Sequence, residues 1–310
     1  MADDTVAQDS EWRPSPLINR IGELWRKTAA SLSPSGTPRE VRALEYSGVA
    51  AQRSNELDRL TIKQWLYGRG YLIPGDAAQV LRLVEPFELD SSAKMLDLAA
   101  GLGGPARAVA QAFHAHVLGL DRDPDLVRQA TAMSHTQGLA RLAQFKNCDP
   151  ESFELEPESV DCALGREASY TVAEKERFLR VVVQALKPRG QLVLADFMRS
   201  GDGEPRDEVS AWAALQPRRP VLWTLAQYTD CLKSLGFNLR VTEDMTGAYR
   251  RQIVASFISL LRSNELRHLK PGQVETVVSE AETSLRTVAA LESGGLKYVR
   301  IEAIAHWSFW

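Results

Sequence analysis

Short apolar runs alternate along the chain with stretches in which apolar residues recur every three or four positions. The short apolar runs predict strands. The spacing of three or four positions predicts helices that bury one face, such as 105–113 and 174–186. Strands that alternate with helices in this way favour one parallel-type sheet covered by helices, an α/β fold. The predicted strands are 95–98, 116–121, 160–165, 191–196, 236–244 and 297–305.

Helical additions flank this alternating pattern. An amphipathic helix is predicted in the N-terminal extension. Its apolar face has three possible partners, which are the core of this protein, another subunit and a membrane surface. Its apolar positions are Leu17, Ile21, Leu24, Trp25 and Leu32. The predicted divisions are a partly disordered extension over 1–37, a helical cap over 38–90, and a core over 91–310 with a helical insertion at about 248–293.

A glycine-rich turn follows the first predicted strand and leads into an alanine-rich helix. Gly101 and Gly103 can adopt backbone angles closed to other residues, and they let a ligand lie against the main chain. The next strand ends in Asp121, where a carboxylate usually accepts hydrogen bonds from a ribose. The turn also satisfies the glycine pattern of dinucleotide sites, but Asp97 before it favours a ligand that carries an amino group.

The arrangement Asp97-x-Ala99-x-Gly101-x-Gly103 resembles motif I of the class I S-adenosylmethionine-dependent methyltransferases. That resemblance implies a Rossmann-like, seven-stranded, doubly wound sheet and S-adenosyl-L-methionine as the cofactor. The cofactor-binding residues that it implies are Tyr71, Asp97, Ala99, Gly101, Gly103, Asp121, Arg122, Asp149, Pro150 and Arg166.

Within that class, the chain looks most like the phosphoethanolamine N-methyltransferases and their small-molecule relatives. Residues 65–75, WLYGRGYLIPG, resemble the segment that crosses the mouth of the cofactor site in those enzymes. Thr171 stands where they have a catalytic histidine, which leaves Glu167 and Tyr170 as the catalytic candidates. Arg218 and Arg219 match the region that binds the substrate.

Composition adds expectations about partners and location. The chain has 310 residues, a net charge of −3 and no run of 18 apolar residues, so we expect no nucleic-acid partner and no stable membrane insertion. Three cysteines without metal-binding spacing favour a reducing cytoplasm and no metal site. The aromatic cluster over 306–310 indicates packing, which includes the possibility of a homodimer.

These features predict an enzyme that moves a methyl group to a small-molecule amine or hydroxyl acceptor by in-line displacement. Proximity, alignment and electrostatics dominate such a reaction. The loss of the family histidine at Thr171 motivates an alternative, a catalytically silent protein that binds the cofactor in a structural or assembly role. A nicotinamide-dependent oxidoreductase is a third hypothesis, and it depends on the glycine pattern alone.

Overall fold

The structure is a computed structural model, and it describes residues 49–269 and 271–306. The predicted amphipathic helix, the first part of the predicted helical cap and the last aromatic residues of the chain lie outside the described residues.

Seven strands form a single mixed sheet in the order β3-β2-β1-β4-β5-β7-β6. Strand β7 runs antiparallel to both of its neighbours, β5 and β6, while β1 to β5 are parallel. The predicted Rossmann-like, seven-stranded sheet is confirmed. The strands are β1 (Lys94–Asp97), β2 (His116–Asp121), β3 (Ala143–Asn147), β4 (Val160–Arg166), β5 (Leu186–Arg199), β6 (Phe237–Asp244) and β7 (Leu296–Ala305).

Helices cover both faces of the sheet and its carboxyl-terminal edge. They are α1 (Val49–Tyr67), α2 (Ala77–Val84), α3 (Gly104–Phe113), α4 (Pro124–Thr136), α5 (Lys175–Ala185), α6 (Asp207–Ala214), α7 (Leu225–Ser234), α8 (Thr246–Arg262) and α9 (Pro271–Glu292). Short 3-10 turns occupy Glu85–Phe87 and Glu265–His268.

The central strands are apolar because helices cover both of their faces. In β4 every residue except Asp161 is buried, which is typical of a parallel strand inside an α/β sheet. One apolar cluster packs α5 and α7 on one face, around Phe178 and Tyr228. A second packs α2 and α3 on the other face, around Val80 and Val109.

A third apolar cluster joins the helical insertion to the sheet. Helices α8 and α9 lie between β6 and β7 in the chain, where the sequence predicts a helical insertion, and they pack against α1 and α6. Phe197 at the end of β5 lies among Trp212, Tyr249 and Tyr298, with ring centroids 5.2 to 5.4 Å away. This aromatic cluster packs near the carboxyl end of β5.

Strand β5 is longer than its apolar pattern predicts. It begins at Leu186, because the turn residues that follow α5 already pair with β4, across a register shift between Val160 and Cys162. It ends at Arg199, because β7 pairs with it over nine residues. These pairings depend on residues far away in the sequence, so the local pattern does not contain them.

Candidate active site

The glycine loop between β1 and α3 lies at the carboxyl ends of the central strands, where open α/β sheets bind ligands. Gly101 has φ +54° and Gly103 has φ +74°, both in the left-handed region that favours glycine. A Cβ at Gly103 would lie 2.3 Å from the ring of Phe145, so no larger residue fits there.

Asp121 at the end of β2 is joined directly to this loop. Its Oδ2 accepts a hydrogen bond from Gly101 N at 2.8 Å, and its Oδ1 accepts one from Asp123 N at 2.9 Å. Burial raises the pKa of Asp121, and the two backbone donors oppose that shift. The carboxylate is thereby fixed at the rim of a cavity, with acceptor capacity left for two hydroxyl groups.

Asp97 at the end of β1 is a buried carboxyl group with one unpartnered oxygen. Its Oδ1 accepts a weak hydrogen bond from Ala99 N at 3.4 Å, and Oδ2 has no partner among the described residues. The residue is 2% exposed, and burial raises its pKa to about 7. An unpartnered buried acceptor is unusual in a folded protein, and a cationic donor would satisfy it.

The segment 65–75, here called the glycine–tyrosine segment, lies against the glycine loop. Gly70 O accepts a hydrogen bond from Gly104 N at 3.0 Å, and Tyr71 is 9% exposed. Burial raises the pKa of Tyr71 to about 12. The buried guanidinium of Arg107, which donates to Leu102 O at 2.8 Å, supports the loop from the inside.

Arg166 at the end of β4 fastens the other end of this segment. Its Nη2 donates to Pro74 O at 2.5 Å, while Nη1 has no partner among the described residues although the residue is only 4% exposed. Arg166 and Asp97 therefore both keep an unpartnered buried atom near the glycine loop. One offers a donor and the other an acceptor, which suits a ligand with a carboxylate and an ammonium group.

A cavity of about 190 Å³ lies beyond the loop and combines apolar walls with a few charged groups. Seven of the residues proposed from the sequence line it, namely Ala99, Asp121, Arg122, Pro150, Glu167, Tyr170 and Arg218. Sequence reasoning missed several lining residues, which are mostly apolar and carry no motif of their own: Leu98, Leu120, Cys148, Phe153, Ala168, Phe178 and Pro217. Thr171 also lines the cavity.

The other seven proposed residues are outside this lining. Five of them belong to the glycine loop and its direct surroundings, namely Tyr71, Asp97, Gly101, Gly103 and Arg166, and the remaining two, Asp149 and Arg219, lie elsewhere. Asp149 is exposed, and its Oδ1 accepts a hydrogen bond from Glu151 N at 3.1 Å within a turn, while its neighbours Cys148 and Pro150 face the cavity. Arg219 lines a separate groove, whereas its neighbour Arg218 lines the cavity. The roles proposed for these residues remain predictions.

Glu167 follows β4 directly and has φ +53°, a left-handed conformation that is uncommon for a residue with a side chain. Its Oε1 accepts a hydrogen bond from Tyr249 Oη at 2.6 Å. Burial raises the pKa of Glu167 to about 7, and the Tyr249 hydroxyl opposes that shift. Tyr249 in turn stacks on Tyr298 with ring centroids 4.0 Å apart.

The loop after Glu167 is held by a second buried carboxylate, Asp196 in β5. Its Oδ2 accepts hydrogen bonds from both N and Oγ of Ser169, each at 2.7 Å. Ser169 also bonds to the Tyr228 hydroxyl at 2.7 Å. This network fixes the loop from which Glu167, Tyr170 and Thr171 face the cavity.

Sequence reasoning did not find Tyr249 or Asp196 as parts of the site. Tyr249 lies 82 residues after Glu167, inside the helical insertion, and it has no motif around it. Asp196 ends the apolar run that predicts β5, and a polar residue at the end of a strand was the only available signal.

Two negative findings concern metal sites and membrane-spanning helices. Within residues 49–269 and 271–306 there is no group of three or more histidine, cysteine, aspartate or glutamate side chains arranged to hold a metal ion. Over the same ranges no helix has the length and apolar character needed to cross a membrane.

Comparison with known proteins finds similarity to methyltransferases. Residues 89–231 match a protein family described as a methyltransferase domain. The phosphoethanolamine N-methyltransferase 2 of Caenorhabditis elegans is 27% identical over 213 residues, which cover 68% of this chain and 46% of that protein. Phosphoethanolamine N-methyltransferase 1 of Triticum aestivum is 25% identical, with 75% of this chain and 44% of that protein covered. The chain thus spans less than half the length of these two relatives.

Solved structures show the same fold. Phosphoethanolamine N-methyltransferase 2 of Haemonchus contortus, in complex with phosphomonomethylethanolamine and S-adenosylhomocysteine, superposes with a TM-score of 0.72. That match is 22% identical and covers 82% of this chain and 59% of the Haemonchus chain. A geranyl diphosphate methyltransferase in complex with S-adenosylmethionine superposes with a TM-score of 0.59 at 17% identity. That match covers 74% of this chain and 84% of the other.

Proposed function

We propose that the chain is a class I, S-adenosylmethionine-dependent methyltransferase similar to the phosphoethanolamine N-methyltransferases, and that it methylates a small-molecule amine. The observation that carries the proposal is the pair of carboxyl groups next to the glycine loop, at the ends of the paired strands β1 and β2. Asp121 is fixed by Gly101 N at 2.8 Å, and Asp97 keeps a buried, unpartnered oxygen.

The residues around the loop fit S-adenosylmethionine by their donor and acceptor chemistry. Asp121 would accept the ribose hydroxyls, while Asp97 would accept the ammonium and Arg166 would donate to the carboxylate of the methionine part. The apolar walls of the cavity, including Leu120 and Phe153, suit the purine ring. A nicotinamide dinucleotide offers no ammonium group to Asp97, which favours the methyl donor over that alternative.

When bound, the cofactor supplies an electrophilic methyl group on a sulfonium. The chain's own part is to exclude water, align the acceptor and receive its proton. Glu167, with Oε1 occupied by Tyr249, has Oε2 free to accept a hydrogen bond from the acceptor's ammonium. A carboxyl group with a pKa near 7 can take that proton, after which the neutral amine carries the lone pair for in-line attack.

The reaction balances without a metal or a strong base. With the donor bound, the bond from sulfur to the methyl carbon would break as the bond from the acceptor nitrogen to that carbon forms, and Glu167 would take one proton from the acceptor. Thr171 has no proton-accepting role at neutral pH, and an amine acceptor needs none from it. A hydroxyl acceptor would need a stronger base than the cavity offers, and this favours an amine.

Calorimetric titration with S-adenosylhomocysteine tests the cofactor part of the proposal. We expect Asp121→Asn to weaken binding by at least about tenfold, because a charged hydrogen-bond acceptor is lost. Asp125→Asn is the matched control, since Asp125 is a half-exposed aspartate at the start of α4 that does not line the cavity, and it should bind as the unsubstituted protein does. Equal affinities in all three proteins would contradict the assignment.

Methyl transfer from labelled S-adenosylmethionine to a panel of amines tests the catalytic part. We expect Glu167→Gln to lower kcat by about 10²-fold or more while S-adenosylhomocysteine binding is kept. Binding without transfer to any amine would support the catalytically silent alternative instead.

A further inference from the structure

A second concavity lies beside the cavity, along helix α6. It has a volume of about 870 Å³, against about 190 Å³ for the cavity. Sites for drug-sized ligands usually measure about 300 to 1,000 Å³, so this groove alone can hold a sizeable molecule. Its apolar lining includes Val209, Ala213, Ala214 and Leu222.

Three arginines and one acid give the groove its charge. Arg199 is paired with Asp202 at 2.8 Å, whereas Arg206 and Arg219 form no ion pair with any residue that the structure describes. Glu204 is the only acidic side chain in the lining. Two free guanidinium groups beside an apolar wall complement an anion that carries an apolar segment.

One short stretch of chain, residues 216–220, separates the groove from the cavity. Pro217 and Arg218 line the cavity, while Gln216, Arg219 and Pro220 line the groove. We call this stretch the partition. Groove and cavity are thus the two sides of a single layer of backbone.

Tyr170 connects the two sides. Its ring lines the cavity with Glu167, and its hydroxyl lies 3.5 Å from Gln216 Oε1, at the outer limit of a hydrogen bond. Its carbonyl accepts a hydrogen bond from Val221 N at 2.7 Å, directly after the partition. Tyr170 thus belongs to the cavity lining and also contacts Gln216 in the partition and Val221 directly after it.

We propose that the groove binds the body of the methyl acceptor, an elongated amine that carries an apolar segment and an anionic group. The amine reaches Glu167 past Tyr170, the apolar segment lies along α6, and the anion pairs with Arg206 and Arg219. This inference rests on the proposed function, because it extends the acceptor side of the same site. In this arrangement Arg219 binds the anionic group of the acceptor, on the groove side of the partition.

A matched set of probe compounds tests the three parts of this description. ω-Aminododecanoate has an amine, an apolar chain and a carboxylate. Dodecylamine lacks the anion, aminoethyl phosphate lacks the apolar chain, and dodecanoate lacks the amine. We expect ω-aminododecanoate to have a kcat/KM at least about tenfold above those of the other two amines, because each of them loses one set of contacts.

Variants on the groove surface separate this effect from general damage. Ala214→Trp fills the groove from an exposed position of α6, and Ala132→Trp makes the same change at an exposed position of α4. The double variant Arg206→Gln/Arg219→Gln removes the free cations, and Arg240→Gln/Arg251→Gln removes two exposed arginines elsewhere. We expect both groove variants to raise KM for ω-aminododecanoate at least about tenfold with kcat kept, and both controls to leave KM unchanged.

Equilibrium binding of dodecanoate gives a readout that needs no methyl transfer. The unsubstituted protein should bind it, and both groove variants should lose that binding while keeping S-adenosylhomocysteine affinity. No dodecanoate binding, or equal kcat/KM for the three amines, would overturn the groove assignment and leave the methyltransferase proposal standing. If the unsubstituted protein does not bind S-adenosylhomocysteine, the proposed function itself is overturned.

Discussion

Asp97 and Glu167 are two carboxyl groups that the fold buries at the ends of two neighbouring strands, β1 and β4. Burial raises the pKa of each to about 7, far above the ordinary range of an acid. Each also keeps an oxygen available to a ligand, because the described neighbours bond to only one oxygen of each. A cation that binds either carboxyl lowers its pKa again, so ligand binding and proton release are coupled.

We expect S-adenosylhomocysteine affinity to rise between about pH 6 and about pH 8, with protons released on binding near pH 6.5. The reason is that the ammonium of this ligand pairs with the ionised form of Asp97, which is minor below a pKa of about 7. Titrations in two buffers of different ionisation enthalpy measure the protons released. Asp97→Asn should abolish the release, and an unchanged release in that variant would assign the effect to another group.

Arg189 gives a prediction about stability at one residue. It has φ +63° in the exposed turn that opens β5, and a left-handed conformation costs a residue with a side chain about 1–2 kcal/mol. We expect Arg189→Gly to raise the free energy of unfolding by about 1 kcal/mol. Urea denaturation measures it, and a lower midpoint in the variant would contradict the explanation.

At the level of elements, the glycine–tyrosine segment docks on the glycine loop through backbone contacts. Gly70 has φ +88°, and a Cβ there would lie 2.4 Å from Arg107 Nη2 and 3.3 Å from Gly104 Cα. The segment therefore needs glycine for two independent reasons, conformation and close approach. Because the hydrogen bond from Gly104 N to Gly70 O joins it to the start of α3, any shift of the segment moves the loop.

Gly236 offers a matched control for this element. It has φ +86°, nearly that of Gly70, and a Cβ there would meet no atom within 4 Å. Both Gly70→Ala and Gly236→Ala should therefore lose stability from backbone strain, and Gly70→Ala should lose more because of its close contacts. Only Gly70→Ala should weaken S-adenosylhomocysteine binding, by at least about tenfold. Thermal denaturation and calorimetry measure the two effects. Equal affinity in both variants would show that the segment does not support the cofactor site.

At the level of the whole molecule, buried acids make stability depend on pH. Asp97, Glu167 and Asp196 all have a raised pKa in the folded protein, so above about pH 4 the folded state binds more protons than the unfolded chain does. Stability from these groups is present in acid and is lost as the pH rises through their folded pKa values.

We expect the free energy of unfolding to fall less steeply with pH in Asp97→Asn than in the unsubstituted protein. Between about pH 4 and pH 7 one bound proton corresponds to about 1.4 kcal/mol per pH unit, and the variant lacks that proton. Urea denaturation at several pH values gives the slope for each protein. Parallel curves would mean that Asp97 is ionised in the folded state throughout this range.

Much of the fold is readable from the sequence because its signals are local. Apolar runs and helical spacing predict the α/β sheet, and both helices of the insertion fall where the pattern places them. The glycine loop and the carboxylate of Asp121 are also local, since each follows a strand directly. Motif resemblance adds the methyltransferase class, which the family match over 89–231 supports.

The sequence by itself therefore determined the fold class and the place of the glycine loop, and it predicted the chemistry of the cofactor side. Tertiary structure decided the acceptor side, because that side is assembled from residues far apart in the chain. Tyr249 reaches Glu167 across 82 residues, and the partition sends Arg218 and Arg219 to opposite sides although they are neighbours. Which side a loop residue faces depends on the packing around it, and no local pattern encodes that packing.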